Sequence, residues 1–166
     1  MAWWSKRQRR TGMGKRKGPA ADADKIREMV EPLTRPPYDI DVDGKRWVGC
    51  NIIMVRARGR RHDVGDTYAE TYLRKCVAES ESRCTAKRTK GSRETRGVPT
   101  VAFVAPGSTV DIHVGSDIVA IVRALFPGAR WRVPSEHPLF PTEGNTCVAW
   151  LRGYPVAVVP PLKGEL

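Results

Sequence analysis

The chain of 166 residues carries 29 lysines and arginines against 18 aspartates and glutamates, a formal net charge of +11, and its isoelectric point lies near 10.0. With a polar arm set aside, that length makes one ordinary domain able to bury a core without disulfides or metals, and no run approaches the roughly 18 apolar residues of a membrane span. The long-range field attracts polyanions, nucleic acid before acidic protein or membrane surfaces, although charge supplies attraction and not specificity.

Residues 1–18 read MAWWSKRQRRTGMGKRKG and contain Lys6, Arg7, Arg9, Arg10, Lys15, Arg16 and Lys17 without an acid. Such a stretch has too little apolar surface to order itself, so a disordered basic arm over 1–20 is expected ahead of a single domain over 21–166. Its cations are candidate phosphate contacts, and Trp3-Trp4 offer aromatic faces for bases or for a membrane interface. A solvated tail, or a packing role for the tryptophans, is the competing reading.

A short amphipathic helix is expected over 22–33, capped by Asp22 or Asp24, with Ile26, Met29, Val30 and Leu33 on one face and Pro36-Pro37 blocking extension. Residues 38–42 alternate as a strand, Asp43-Gly44 is a strong turn signal, and residues 45–50 and 51–55 continue a hairpin into a meander. Asp39, Asp41 and Asp43 look like the opening of a calcium loop, but its later ligands and closing glutamate are missing, and an exposed strand face explains them better.

Arg56, Arg58, Arg60 and Arg61 follow at the end of that meander beside His62 and Asp63. On an extended chain Arg56 and Arg58 would project from one face, which makes a phosphate-contacting edge and a solvated loop equal competitors. The second helix is expected over 66–80, with Tyr68, Tyr72 and Cys76, and one position on Leu73 and Val77, facing the core.

From 82 to 97 the sequence SRCTAKRTKGSRETRG loses apolar periodicity and gathers Lys87, Arg88, Lys90, Arg93 and Arg96. It reads as a mobile basic linker between two halves and as a further candidate phosphate surface. Strands are then expected over 99–104 and 109–114. A helix with Ser116 as N-cap follows, its Ile118, Val119, Ile121, Val122, Leu125 and Phe126 on a buried face and Pro127-Gly128 as its stop. Strands over 131–133, 146–151 and 154–159 close the chain, the last two joined at Arg152-Gly153.

Written as elements, this is α+β: two similar halves of antiparallel strands with packed helices. Cys50, Cys76, Cys84 and Cys147 are too far apart in sequence for a zinc site of the CxxC kind, and no apolar secretory core precedes them, so reduced thiols and a cytoplasmic protein are expected. The closing Lys163-Gly164-Glu165-Leu166 departs from an ER-retention tetrapeptide at its second position and is not read as one. His62, His113 and His137 are scattered, and there is no phosphate-cradling glycine loop, nucleophile elbow or HExxH. No catalytic residue, metal site or cofactor is therefore assigned.

The second half, VDIHVGSDIVAIVRALFPGARWRV with the closing GYPVAVVPPL, resembles the bacterial β sliding clamp and its small phage-borne relatives, although that family's last strand usually ends in Met-Pro where this chain has Pro160-Pro161. DGKRWVGCNIIMVR in the first half is similar to the clamp's recurring strand-turn-strand unit, with Cys50-Asn51 where a second aspartate-glycine turn would stand. The resemblance covers about 38–162. It implies a non-catalytic, DNA-associated clamp-like domain of phage or mobile-element origin, connected with DNA replication, standing alone or as a homo-oligomer whose ring would need several copies.

Three classes therefore compete: a clamp-like DNA-associated module without membrane contact; a basic nucleic-acid-binding protein on another α+β scaffold, with DNA ahead of RNA; and a metal-dependent nuclease using Asp39, Asp41 and Glu70.

Overall fold

The computed structural model describes residues 18–33, 38–60, 67–89, 93–95, 97–136 and 146–160. In chain order they form helix α1 (Ala23–Val30) with a 3-10 turn (Glu31–Leu33), strands β1 (Tyr38–Val42), β2 (Lys45–Gly49) and β3 (Met54–Ala57), and helix α2 (Thr67–Glu81). Strands β4 (Lys87–Arg88), β5 (Arg93–Thr95), β6 (Val98–Val104) and β7 (Ile112–Gly115), helix α3 (Ser116–Leu125), and strands β8 (Arg130–Arg132), β9 (Cys147–Leu151) and β10 (Tyr154–Val159) complete the fold. The class is α+β, with every ladder between named strands antiparallel.

Local chemistry sets the ends of these elements. The Asp22 carboxylate accepts the N–H groups of Asp24 and Lys25 at 2.9 and 3.1 Å, satisfying two donors that the first turn of α1 would leave bare. Helix α3 starts one residue earlier than its sequence predicts: Gly115 is the N-cap, Ser116 is already helical, and the Asp117 carboxylate accepts the Ile118 N–H at 2.8 Å. The helix ends where Phe126 N–H reaches Val122 O, just before Gly128 turns left-handed at φ 85°. Asp43-Gly44 and Arg152-Gly153 take φ values of 53° and 77°, and 53° and 80°, the paired left-handed geometry that suits a two-residue hairpin.

Both halves of the chain build one six-stranded sheet in the order β1-β2-β3-β10-β9-β8. The seam is the β3–β10 ladder, with Val55 opposite Ala157 and Met54 opposite Val158. Because directly paired residues share a face, one row runs Val48, Val55, Ala157, Ala149, Trp131 and the other runs Met54, Val158, Val148, Arg132. The first row packs with Ile26 and Val30 of α1, Val119 and Val122 of α3, and Phe103 of the second sheet. The other face, with Ile40 and Trp47, is covered by Leu73 and Cys76 of α2. The sheet is thus buried on both faces, and the Phe103 and Trp131 rings, 5.6 Å apart between centroids, join it to the second sheet.

That second sheet centres on β6, with β7 along one edge and β4 and β5 in succession along the other. The stretch 82–97, expected to be a linker, thereby supplies edge strands; Thr89 N–H extends the ladder to Ala102 O at 2.9 Å. An edge strand of exposed charged side chains needs no apolar alternation, because main-chain pairing alone holds it. Two more expectations shift. Tyr68 is 71% exposed, so the face of α2 turned to the core centres on Leu73 and Cys76. Ile121 and Leu125 are only partly buried, while Ile118, Val119 and Val122 are the interior positions of α3.

Candidate nucleic-acid interface

Arg56 is turned inward rather than lying on an exposed edge. Pairing with Trp47 turns it onto the sheet face that α2 covers, where the residue is 3% exposed. Its Nη1 donates to Arg46 O at 2.9 Å and Ala57 O at 3.3 Å, and the guanidinium stands 5.9 Å from the Trp47 ring centroid. Burial pulls its pKa below the usual arginine value, opposed by the charge of Asp41. Arg58 is exposed but secures the chain before α1, its N–H donating to Ala21 O at 2.8 Å and its Nε to Ala20 O at 3.0 Å. Arg60 is exposed. Lys6, Arg7, Arg9, Arg10, Lys15, Arg16, Lys17, Arg61, Lys90 and Arg96 lie outside the described residues, and Arg93 is described as backbone in β5.

Lys87 and Arg88, by contrast, border a cleft of about 640 Å³ between β4, the last two turns of α3 and the segment leading into β8. Arg88 pairs with Phe103, so it leaves the strand on the face that looks toward α3. Arg123 from α3 lines the opposite wall, so two guanidinium groups face each other there; Lys87, paired with Val104, and Arg130, paired with Trp150, line the cleft from strands whose registers turn their side chains to the other faces. Its floor is apolar: Phe103, Val119, Val122, Phe126 and Trp131 all line it and are otherwise buried. Ala86 N–H donates to Trp131 O at 2.8 Å and fixes the wall that carries Lys87 and Arg88.

No aspartate or glutamate lines this cleft. Several arginines elsewhere are matched by carboxylates. Arg46 holds Asp39 through two hydrogen bonds at 2.9 and 2.5 Å, and Arg27 reaches the same carboxylate at 2.6 Å. Arg74 grips both oxygens of Asp43 at 3.1 Å, and this bond holds the Asp43 carboxyl below its ordinary pKa. Among the described residues no ion pair engages Lys87, Arg88, Arg123 or Arg130. Concentrated cations without counter-charges make a site of positive potential.

Arg123 and Arg130 were missed in the sequence because each was read as part of its own element. The signal was available: between Asp117 and Glu136 there is no acid, while Arg123, Arg130 and Arg132 all fall in that span. Only the fold brings two of them to the cleft that β4 borders.

Chemistry of other kinds finds less material. The His113 Nδ1 lies 3.1 Å from Thr100 Oγ1, while His62 and His137 are outside the described residues. Among the described residues no three histidine, cysteine, aspartate or glutamate side chains gather as a metal site. No helix among them is long and apolar enough to cross a membrane. No protein-family model matches the chain, and neither a curated protein nor a solved structure matches it. Function must therefore be argued from the cleft and the charge.

Proposed function

We propose that the protein is a non-catalytic nucleic-acid-associated module, with DNA its first partner, and that the β4–α3 cleft is the folded part of its binding surface. The observation that carries this reading is that Lys87, Arg88, Arg123 and Arg130 all line one cleft without an acid among its lining residues, in a chain of net charge +11. Cations without carboxylate partners are free to replace the counterions of a phosphate backbone, whose release drives binding. The basic arm would add contacts of the same sequence-blind kind. The clamp-like, replication-linked form of the proposal rests on the sequence resemblance alone. A nuclease centred on Asp39 is disfavoured by geometry, since two guanidinium groups already occupy that carboxylate.

The test is binding of the full chain, and of a chain lacking residues 1–18, to two unrelated DNA sequences across a salt series. Tight binding to both sequences at low salt is expected, with log K falling linearly against log salt and a shallower slope after truncation. DNA added with magnesium should stay intact. Absence of binding at about 50 mM salt, where phosphate contacts are strong, would overturn the proposal.

A further inference from the structure

The shape of the cleft narrows the partner further, on the footing that the nucleic-acid reading holds. We infer that the β4–α3 cleft receives an unpaired nucleotide of a single strand, its base entering against the apolar floor and its flanking phosphates meeting Arg88 and Arg123.

Two surfaces occur together at this cleft. A patch serving only the backbone of a duplex needs cations on a convex or flat face; it has no use for a recess. Here Arg88 and Arg123 stand on opposite walls of a recess of about 640 Å³ whose floor is made by Phe103, Val122, Phe126 and Trp131. That volume falls within the roughly 300–1,000 Å³ of pockets that enclose small organic ligands. A duplex keeps its bases stacked inside and presents phosphate outward, so it has nothing apolar to place on that floor. An unpaired strand presents a flat π-surface and a phosphate on every residue, which is what an apolar recess with a cationic rim can hold.

The walls are built to keep this form. The wall bearing Lys87 and Arg88 is tied to β6 by the β4 ladder and to β8 by the Ala86–Trp131 hydrogen bond. The opposite wall is α3, anchored by Val119 and Val122 in the core. Arg123 therefore approaches from the side opposite Arg88. An acidic peptide would satisfy the rim but carries no aromatic group at every charged position to fill the floor.

The test uses the full chain and the variant Arg88→Gln/Arg123→Gln, each titrated with a labelled 20-nucleotide oligothymidylate and with a 20-base-pair duplex, and with poly-glutamate as competitor. The expected result is a preference of the parent for the single strand of at least tenfold, lost in the variant while duplex binding changes less than threefold. Poly-glutamate should displace the oligothymidylate poorly. Equal affinity of the parent for strand and duplex, or equal weakening of both in the variant, would show a general phosphate surface and overturn the inference while leaving nucleic-acid binding standing. Displacement by poly-glutamate as effective as by unlabelled oligothymidylate would overturn it in favour of an acidic partner. If the parent bound neither nucleic acid, the inference would fall together with the function it rests on. Thermal melting of the variant within a few degrees of the parent is the folding control, and the single variants Arg88→Gln and Arg123→Gln, one from each wall, provide the same comparison independently.

Discussion

The guanidinium of Arg132 lies 4.1 Å from the ring centroid of Trp150, and its Nη1 donates to the carbonyls of Ser80 and Glu81 at 3.1 and 3.4 Å. Trp150 in turn donates its indole N–H to Ser80 Oγ at 3.1 Å. A positive charge thus sits where the last carbonyls of α2 have no helical partner, with an aromatic face beneath it. This arrangement pins the far end of α2 to β8 and β9. Replacing Arg132 with alanine should cost about 2–3 kcal/mol, the sum expected for charge-assisted hydrogen bonds and a shielded cation–π contact. Urea unfolding measures it; a loss under about 0.5 kcal/mol, the scale of an ordinary surface substitution, would mean that water caps α2 equally well.

Gly49 and Gly44 should respond to alanine very differently. A Cβ on Gly49 would lie 2.0 Å from Ile53 O, inside the turn that Cys50 and Ile53 close with two main-chain hydrogen bonds. Backbone must move, so Gly49→Ala should prevent folding or lower the melting temperature by more than ten degrees. At Gly44, with φ 77° and open space around the missing Cβ, only conformational strain of about 1–2 kcal/mol is expected. Equal melting temperatures for the two variants would contradict the tight turn at Gly49.

In helix α3, Val122→Asp should abolish folding, because Val122 is 1% exposed and an unpaired carboxylate there costs several kcal/mol, a large share of the roughly 5–15 kcal/mol that holds a domain together. Leu125→Asp, at a partly buried position, should be the milder change. Circular dichroism of the two purified variants distinguishes them, and a folded Val122→Asp protein would place that face of α3 at the surface.

Much of the scaffold was legible because short-range rules governed it. Asp43-Gly44 and Arg152-Gly153 marked two hairpins, Asp22 and Asp24 narrowed the start of α1 to two positions, of which Asp22 is the cap, and the stripe through Ile118 and Val122 marked α3. What eluded sequence reasoning depended on distant pairing. Nothing in Lys87-Arg88 announces that β6 will accept it as an edge strand, since its side chains remain exposed and its bonds are main chain to main chain. Arg56 and Arg58, two positions apart, were expected to share a role, yet the register against Trp47 buried the first and the chain before α1 engaged the second. The cleft followed the same logic: two of its cations were visible as a charge cluster, and the other two joined them only through the packing of α3 and β8.

Cysteine chemistry offers a check on the core with its sign determined. Burial pushes the Cys147 thiol up to about 12, from an ordinary value of 9.0. The unfolded chain then releases this proton at lower pH than the folded chain, so the contribution to stability is complete below pH 9.0 and declines as pH rises toward 12. Cys147→Ala should flatten the fall in stability across that window relative to the parent, whatever the other alkaline groups contribute. In the native protein Cys84 is exposed while Cys50, Cys76 and Cys147 are buried, so a thiol reagent at neutral pH should modify Cys84 rapidly and the others only on unfolding. Rapid modification of Cys147 would place β9 at the surface.

If the cations lining the β4–α3 cleft carry binding, the salt dependence of a variant lacking them must change. Single-strand affinity should be measured between about 50 and 200 mM salt, a range over which phosphate contacts weaken strongly, for the full chain and for Lys87→Gln/Arg88→Gln/Arg123→Gln/Arg130→Gln. If all four touch phosphate, the variant should bind at least a hundredfold more weakly at the lowest salt, and its log–log slope should be shallower by about 0.7 per lost contact. An unchanged affinity and an unchanged slope in a correctly folded variant would contradict the account.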